Sequence, residues 1–214
     1  MSNRGDLDGG LRERKKRETR QRISDIATAL FIERGFDEVT VAEVAVAAGV
    51  SKVTVFNYFP RKEQLFFDRG IEGMELLEAA LRSRAPGTSV TEAVRRLILD
   101  LAAQRHPLSG LRDGVQGFWL VVAASPTLVA AARAELEALE ADVAGAIAEA
   151  PDAPAAPVDA RLLAGFLVSA CRFIYLYAVR RLLGGESADD VYSDYVAVVN
   201  VAFDMLAGAA RSAT

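Results

Sequence analysis

The amino-acid sequence predicts an all-α protein. Apolar residues recur at three- and four-residue steps along most of the chain, and no set of alternating apolar and polar runs would build a sheet. Hydrophobic residues occupy 51% of the 214 positions, so the chain can bury a sizeable core. We therefore expect helices in nearly every part of the chain.

The N-terminal segment combines a polar tail with a basic arm. Three glycines stand among few apolar groups in residues 1–10, so we expect a disordered tail there. Leu11 to Arg22 then carries seven basic residues against two acidic ones. Because cations near the start of a helix oppose its dipole, this arm is expected to contact an external anion such as a DNA phosphate.

The first helix and the start of the second have clear end signals. From Ile23 onward the apolar residues mark one helix face, and Gly35 is expected to end that helix in the left-handed conformation. Thr40 and Glu43 form a capping box, in which each side chain bonds the backbone of the other. Gly49 ends the second helix after barely two turns.

A third short helix follows directly. Ser51 is its N-cap, and Pro60 stops it at Phe59. By propensity alone residues 53–59 would form a strand, but the cap, the proline and the neighbouring helices favour a helix.

The remainder is predicted to be helical as well. A long fourth helix starts at Arg61 and ends near Ala85, and Ser125 caps a later one. Three prolines in residues 151–157 predict a loop. The other predicted helices are Thr91 to Gln104, a shorter piece around Leu111 to Ala124, Pro126 to Ala150, Asp159 to Leu183 and Ser187 to Gly208.

Charge divides the chain into two parts. Through Arg69 there are 13 basic and 11 acidic residues (+2), which leaves 12 basic and 18 acidic residues (−6) of the totals of 25 and 29. All four lysines lie in the first part. This asymmetry indicates a basic N-terminal module joined to an acidic remainder.

Several chemistries are excluded by composition. The chain has one histidine, His106, and one cysteine, Cys171, so multi-histidine zinc sites, paired-cysteine sites and an intrachain disulfide are ruled out. No phosphate-loop or Gly-x-Ser-x-Gly pattern is present. We therefore predict no enzyme activity and no metal or cofactor. Residues 1–10 do not resemble a secretory signal, so a cytoplasmic location is expected.

The two short helices and the Ala48–Ser51 turn between them have the helix-turn-helix pattern. Val55 and Phe59, four residues apart, should face the core. The outward positions then carry residue types that bind phosphates, base edges and thymine methyl groups. These positions are Lys52, Val53, Thr54, Phe56, Asn57 and Tyr58, and Lys62 and the helix start at Thr40 are suited to phosphate.

Thr19 to Phe66 resembles the tetracycline-repressor (TetR) family. The resemblance is carried by Ala27, Leu30, Phe31, Gly35, Phe36, Thr40, Val41, Val44, Ala45, Ala48–Ser51, Thr54–Glu63 and Leu65. It implies a helix-turn-helix DNA-binding domain over residues 11–60 and a helical ligand-binding and dimerisation domain over 61–214. Val53 stands where a small residue, often Gly, is common, and Phe56 stands where Tyr is frequent.

The resemblance also implies which residues meet DNA and how the protein works. The family's DNA-contact positions correspond to Thr40, Ser51, Lys52, Val53, Thr54, Phe56, Asn57, Tyr58 and Lys62. The implied function is a homodimeric repressor that a small molecule releases from a palindromic, double-stranded operator. The Leu11–Arg17 opening and residues 56–62 are also similar to an actinobacterial subgroup of the family thought to respond to acyl-CoA thioesters.

The predicted effector is a hydrophobic or amphipathic molecule. Four isolated polar or aromatic residues in the apolar second part could orient it: Arg112, Gln116, Trp119 and Arg172. Arg172 could instead pair with an acid across a subunit contact. An alternative function is an all-helical carrier or sequestering protein for a hydrophobic ligand, without DNA binding.

The last two predicted helices are expected to form the homodimer, with Tyr175, Tyr177 and Phe203 as contributors. Leu162 to Val179 is apolar and long enough to span a membrane, but Arg172 sits near its middle. A charge at that depth costs about 2.5 to 3.5 kcal/mol, so a buried helix at a subunit contact is the preferred interpretation, and no membrane contact is expected.

Overall fold

The structure, a computed structural model, describes the backbone of residues 5–150 and 157–212 and the side chains of residues 14–150 and 158–208. Within those ranges it is helical and contains no strand, which confirms the all-α prediction. Its α-helices are α1 (Gly5–Arg34), α2 (Val41–Ala47), α3 (Lys52–Tyr58), α4 (Gly70–Ser83), α5 (Val90–Ala103), α6 (Val115–Ala124), α7 (Pro126–Ala148), α8 (Pro157–Leu183) and α9 (Ala188–Ser212).

The predicted helix ends near α1, α2 and α7 are confirmed. Gly35 has a φ of +89° and its N–H donates to the carbonyl of Phe31, which closes the last turn of α1. Thr40 caps α2 with a complete capping box. The hydroxyl of Ser125 accepts the N–H of Leu128 at 3.4 Å at the start of α7.

One terminal prediction differs from the structure, and one loop prediction lies largely outside the described residues. Helix α1 begins at Gly5, so the predicted disordered tail of residues 1–10 is wrong for residues 5–10, and residues 1–4 lie outside the described part. A helix already nucleated over the following residues extends at little cost, which favours helix over coil there. The predicted 151–157 loop falls largely on residues 151–156, which are not described, and α8 starts at Pro157.

The prediction of one continuous helix from Arg61 is wrong. A 3-10 helix spans Lys62–Leu65, and α4 starts only at Gly70. The hydroxyl of Ser24 donates to the carbonyl of Leu65 at 3.0 Å and the Leu65 side chain is fully buried, so contacts with α1 hold this segment in the tighter 3-10 geometry. Tertiary contact with α1 therefore interrupts the helix.

The middle of the chain is also more broken than predicted. Instead of a helix from Leu111, there is a 3-10 helix over Pro107–Ser109 and α6 starts at Val115. Gly110 and Gly114 have φ values of +70° and +89°, which end regular helical geometry on both sides of Leu111.

The first compact unit contains the short helices. Its described residues run to Asp68 and resume from Phe118 to Ala131. Ile23, Ala27 and Phe31 of α1 are fully buried in its core. Residues 118–131, which the sequence assigned to the second domain, pack with this unit: the ring of Phe118 stacks on Phe66 with centroids 4.2 Å apart. The 60/61 domain boundary stays a prediction.

The second compact unit contains the described residues of 69–117 and 132–212, and α5, α8 and α9 pack together in its core. Phe203 is 0% exposed and lies in this core. The prediction that Phe203 contributes to a dimer surface is therefore wrong, because α9 turns that side chain toward its own unit.

Helix α8 has two apolar faces. One face, including Ala164, Leu167 and Ile174, is buried in the core of the second unit. The other leaves Leu162, Phe166 and Phe173 more than half exposed. By length and composition α8 could cross a membrane, and the bent α6–α7 pair could count as a second span, but a soluble core helix passes the same test.

Candidate nucleic-acid interface

The turn between α2 and α3 has the geometry of a helix-turn-helix. The N–H of Ala48 donates to Val44, and the N–H of Val50 reaches the carbonyl of Ala45 at 3.0 Å across the end of α2. Gly49 adopts a φ of +63°, which a residue with a side chain adopts at a cost. Ala48 and Val55 are buried, so the turn and α3 are fixed against α2 by apolar contacts.

The capping box at the start of α2 is electrostatically strong. Glu43 accepts the backbone N–H and the hydroxyl of Thr40, each at 2.8 Å, and it also pairs with Arg34 at 2.7 Å. The hydrogen bonds from Thr40, followed by that from Arg34, lower the pKa of Glu43 to about 2. Thr40 is thus exposed at the helix start with its hydroxyl hydrogen committed to Glu43.

Helix α3 presents an exposed face beside its buried one. Val55 and Phe59 lie in the core, as predicted. Seven predicted DNA-contact residues lie in the segment 51–58. Of these, five are exposed and two are half-buried: the exposed ones are Ser51, Lys52, Val53, Phe56 and Asn57, and the half-buried ones are Thr54 and Tyr58. The structure therefore brings seven of the nine predicted DNA-contact residues together on one short segment. That face combines a cation, an amide, hydroxyls and apolar groups, which can bind phosphates and base edges.

Lys62 follows α3 in the chain and is half-buried. Its Nζ donates to the carbonyl of Phe36 and sits 4.2 Å from the centre of the Phe36 ring. Burial lowers the pKa of this ammonium below its usual value. Lys62 thus joins the segment after α3 to the end of α1, and its predicted phosphate contact would use the remaining N–H groups.

Sequence reasoning missed the structural role of two arginines in the basic arm. Arg22 donates to the carbonyl of Ala48 at the end of α2. Arg20 donates to the carbonyl of Tyr58 at 2.5 Å, at the end of α3. A signal was available for Arg20, because it lies three and seven residues before the core residues Ile23 and Ala27 and so shares their helix face.

The four predicted ligand contacts do not form one cluster within either unit. Trp119 belongs to the first unit, where its ring meets Phe118 edge-to-face at 5.6 Å. Gln116 lies in the second unit, and its amide donates to Leu182 at 3.2 Å and accepts from Gly114 at 2.9 Å. Arg112 and Arg172 are exposed in that same unit.

A shallow groove of about 280 Å³ lies at the C-terminal end of α8. Its lining residues are Phe173, Tyr177, Arg180, Arg181, Gly184 and Glu186, none of which was predicted as a ligand contact. Arg181 is held there by Glu186, by Asp194 at 2.7 Å and by the Tyr177 hydroxyl at 2.7 Å. These hydrogen bonds raise the pKa of Arg181 and lower that of Glu186.

Comparisons with known proteins agree with this architecture. Residues 23–68 match the family of bacterial regulatory proteins described as the tetR family. The chain is 33% identical over 105 residues to the HTH-type transcriptional regulator TcmR of Streptomyces glaucescens, covering 49% of this chain and 44% of that protein. It is 28% identical over 122 residues to the HTH-type transcriptional regulator AcrR of Shigella flexneri, covering 49% and 57%. The chain therefore spans about half the length of these curated relatives.

A solved structure shares the fold over most of the chain. GusR of Salmonella enterica superposes with a TM-score of 0.53 at 19% identity, covering 89% of this chain and 94% of that one. At this identity the likeness shows the fold alone.

Proposed function

We propose that this chain, whose residues 23–68 match the tetR family of bacterial regulatory proteins, belongs to that family and is a ligand-responsive DNA-binding transcriptional repressor. The relatives TcmR and AcrR are transcriptional regulators and not enzymes. The observation that carries the proposal is the exposed face of α3, which stands on a turn fixed by Gly49 and Ser51. A helix held in this way can enter the major groove and offer its side chains to base edges.

The proposed operator is a near-palindrome read by a homodimer. Helices α8 and α9 support this proposal, because they expose a set of large apolar side chains that a monomer would leave in water. These are Leu162, Phe166 and Phe173 on α8 and Val201 and Met205 on α9. Tyr175 and Tyr177 are half-buried and stay candidates for this surface. Twofold symmetry in the protein then imposes an inverted repeat on the DNA.

The proposed effector is an apolar or amphipathic small molecule bound within residues 61–183. Arg112 and Arg172 support an anionic part in that molecule, because both residues are exposed and each follows or precedes an apolar residue in the chain, Leu111 and Phe173. The effector must bind the DNA-incompetent state better, and a coupling of about 1 to 3 kcal/mol would weaken DNA binding about 5- to 150-fold. Fatty acids, acyl-CoA thioesters and aromatic drugs are the classes to screen by thermal shift, followed by DNA release for each compound that binds.

The function is tested by selecting duplexes from a random-sequence DNA pool with the full chain. We expect enrichment of an inverted repeat whose binding weakens steeply with salt. If no sequence is enriched while hydrophobic ligands still stabilise the chain, the carrier function takes its place. The regulator is expected to act in the cytoplasm, where its DNA lies.

A further inference from the structure

Val53 is the more exposed of two large apolar side chains on the outer face of α3. It is the second residue of the helix, and 69% of it is exposed, against 42% of Phe56. Val55, two residues later and so on the opposite side of the helix, is fully buried in the core. Val53 therefore belongs to the face that α3 would carry into a DNA groove.

The first turn of α3 holds Val53 in a fixed position. The Ser51 hydroxyl accepts the N–H of Thr54 at 3.0 Å, and the Ser51 carbonyl accepts the N–H of Val55 at 3.1 Å. A β-branched side chain in a helix has one strongly preferred χ1 rotamer, so the valine does not turn aside to suit its surroundings. Its two methyl groups form a rigid apolar surface on the exposed face.

Phe56, the other apolar side chain on this face, already has a cationic neighbour. The Nζ of Lys52 lies 5.7 Å from the centre of the Phe56 ring, a distance at which an ammonium and an aromatic ring attract each other. Part of the ring is thus engaged by Lys52. Val53 is the side chain that leaves more of its apolar surface exposed to meet a base.

The major groove of DNA displays one kind of apolar group. Its base edges carry nitrogen and oxygen donors and acceptors, and thymine alone adds a C5 methyl group. A valine pressed against an amino group or a carbonyl oxygen would remove that polar atom from water and offer no hydrogen bond in return. Contact with a thymine methyl group instead removes apolar surface from water on both sides. Val53 therefore favours thymine over the other three bases.

We propose that Val53 is a specificity-determining residue, which selects a thymine in each operator half-site through contact with its C5 methyl group. This rests on the proposed function, in which α3 enters the major groove. The contact reads a base without a hydrogen bond. Lys52 and Thr54, which flank Val53 in the chain, carry the hydrogen-bonding groups, so the thymine is expected beside the bases that they read.

The test compares thymine with deoxyuridine, which lacks only the C5 methyl group. The full chain is given the duplex that it enriches from a random pool, with each thymine replaced in turn together with its counterpart in the other half-site. Fluorescence anisotropy measures the Kd. We expect one position at which the replacement weakens wild-type binding about fourfold per half-site, as the loss of one buried methyl group predicts. At that position 5-bromodeoxyuridine, whose bromine is close to a methyl group in size, should restore the affinity.

Val53→Ala shows whether this side chain is responsible. The variant is expected to fold, because the position is exposed and alanine is the better helix former. It should bind the thymine duplex more weakly and lose the deoxyuridine effect at that one position, which a double-mutant cycle measures. A purely structural role would weaken binding to both duplexes equally and preserve the deoxyuridine effect.

Val46→Ala is the matched control. It makes the same substitution at an 82% exposed valine of α2, outside the helix that is proposed to read bases. This variant should keep the full dependence on the thymine methyl group.

The inference is wrong if deoxyuridine is tolerated at every thymine, if the enriched half-site holds no thymine, or if the deoxyuridine effect persists in Val53→Ala. Each of these results leaves the proposed function intact, because a specific duplex has still been selected. If the wild-type chain enriches no duplex at all, the proposed function fails first, and the inference fails with it.

Discussion

The hydroxyl of Ser51 accepts the N–H of Thr54 at 3.0 Å and lies 2.8 Å from the Thr54 hydroxyl. The N-cap of the recognition helix therefore also fixes a side chain proposed to read bases. Stability and specificity are coupled at this position, because the residue that ends the turn also orients a DNA contact.

Ser51→Ala is expected to destabilise the protein by about 1 kcal/mol, the usual cost of removing an N-cap. It should also relax the base preference at the position that Thr54 contacts, since the Thr54 hydroxyl loses its partner. Urea unfolding and selection from a random DNA pool measure the two effects. Ser187→Ala, which removes the hydroxyl that accepts the Asp190 N–H at the start of α9, is the matched control and should affect stability alone. Identical base preferences in the two variants would contradict this coupling.

Glu43 makes the stability of the first unit depend on acid pH. Its folded-state pKa of about 2 lies below the ordinary 4.5, so the ionised carboxylate stabilises the fold. This contribution is fully present above about pH 4.5 and is lost as the pH falls toward 2. Glu43→Gln keeps a capping side chain without the charge, and its unfolding free energy should fall less between neutral pH and pH 3 than that of the wild type. The unfolding free energies of both proteins are measured by urea unfolding across this pH range. If the two values change in parallel with pH, the ionised Glu43 carboxylate does not stabilise the fold as stated.

Lys62→Ala is expected to weaken DNA binding by a similar factor for every sequence and to reduce the salt slope by about one. The reason is the loss of one phosphate contact. Because Lys62 also packs on Phe36, the alanine variant should melt at a lower temperature. Lys62→Met retains the packing and separates the two effects, since it should restore stability and not the salt slope. A change in the preferred sequence would show that Lys62 reads bases instead.

Phe166→Glu is expected to convert the proposed homodimer to a monomer. Phe166 is 57% exposed on α8, and a carboxylate there would be buried without a partner in the dimer. Val46→Glu, at an 82% exposed position on α2, is the matched control and should leave the association unchanged. Sedimentation at micromolar concentration measures the oligomeric state of the wild type and of both variants. A wild-type monomer, or a Phe166→Glu dimer, would exclude this surface as the contact.

The helix-turn-helix could be predicted because its signals are local. Thr40, Gly49 and Ser51 each fix a backbone position within three residues of themselves. The interruption of the predicted fourth helix at Leu65 could not be predicted in this way. It involves a contact with the hydroxyl of Ser24, which lies 41 positions earlier in the chain. Tertiary contacts of this kind leave no periodic pattern in the sequence.

The same limit explains the candidate sites. Gln116 was predicted to face a ligand from its isolated polarity, but its partner is the Leu182 carbonyl, 66 positions away. Arg20 was predicted to belong to a basic arm that contacts an external anion, and its partner Asp68 follows 48 positions later. A single sequence shows which residues can bond and does not show which distant partner completes the bond.

Selection from a random duplex pool with the wild-type chain and with Lys52→Ala tests most directly whether α3 reads a DNA sequence. Lys52 is exposed at the first turn of α3, near the Phe56 ring, and its loss should change the preferred base at one or two positions in each half-site. The expected cost on the wild-type operator is about 1 to 3 kcal/mol. If the wild-type chain and Lys52→Ala enrich the same inverted repeat with equal affinity, α3 does not read the sequence through Lys52. If neither enriches any sequence, this protein is not a sequence-specific DNA-binding regulator.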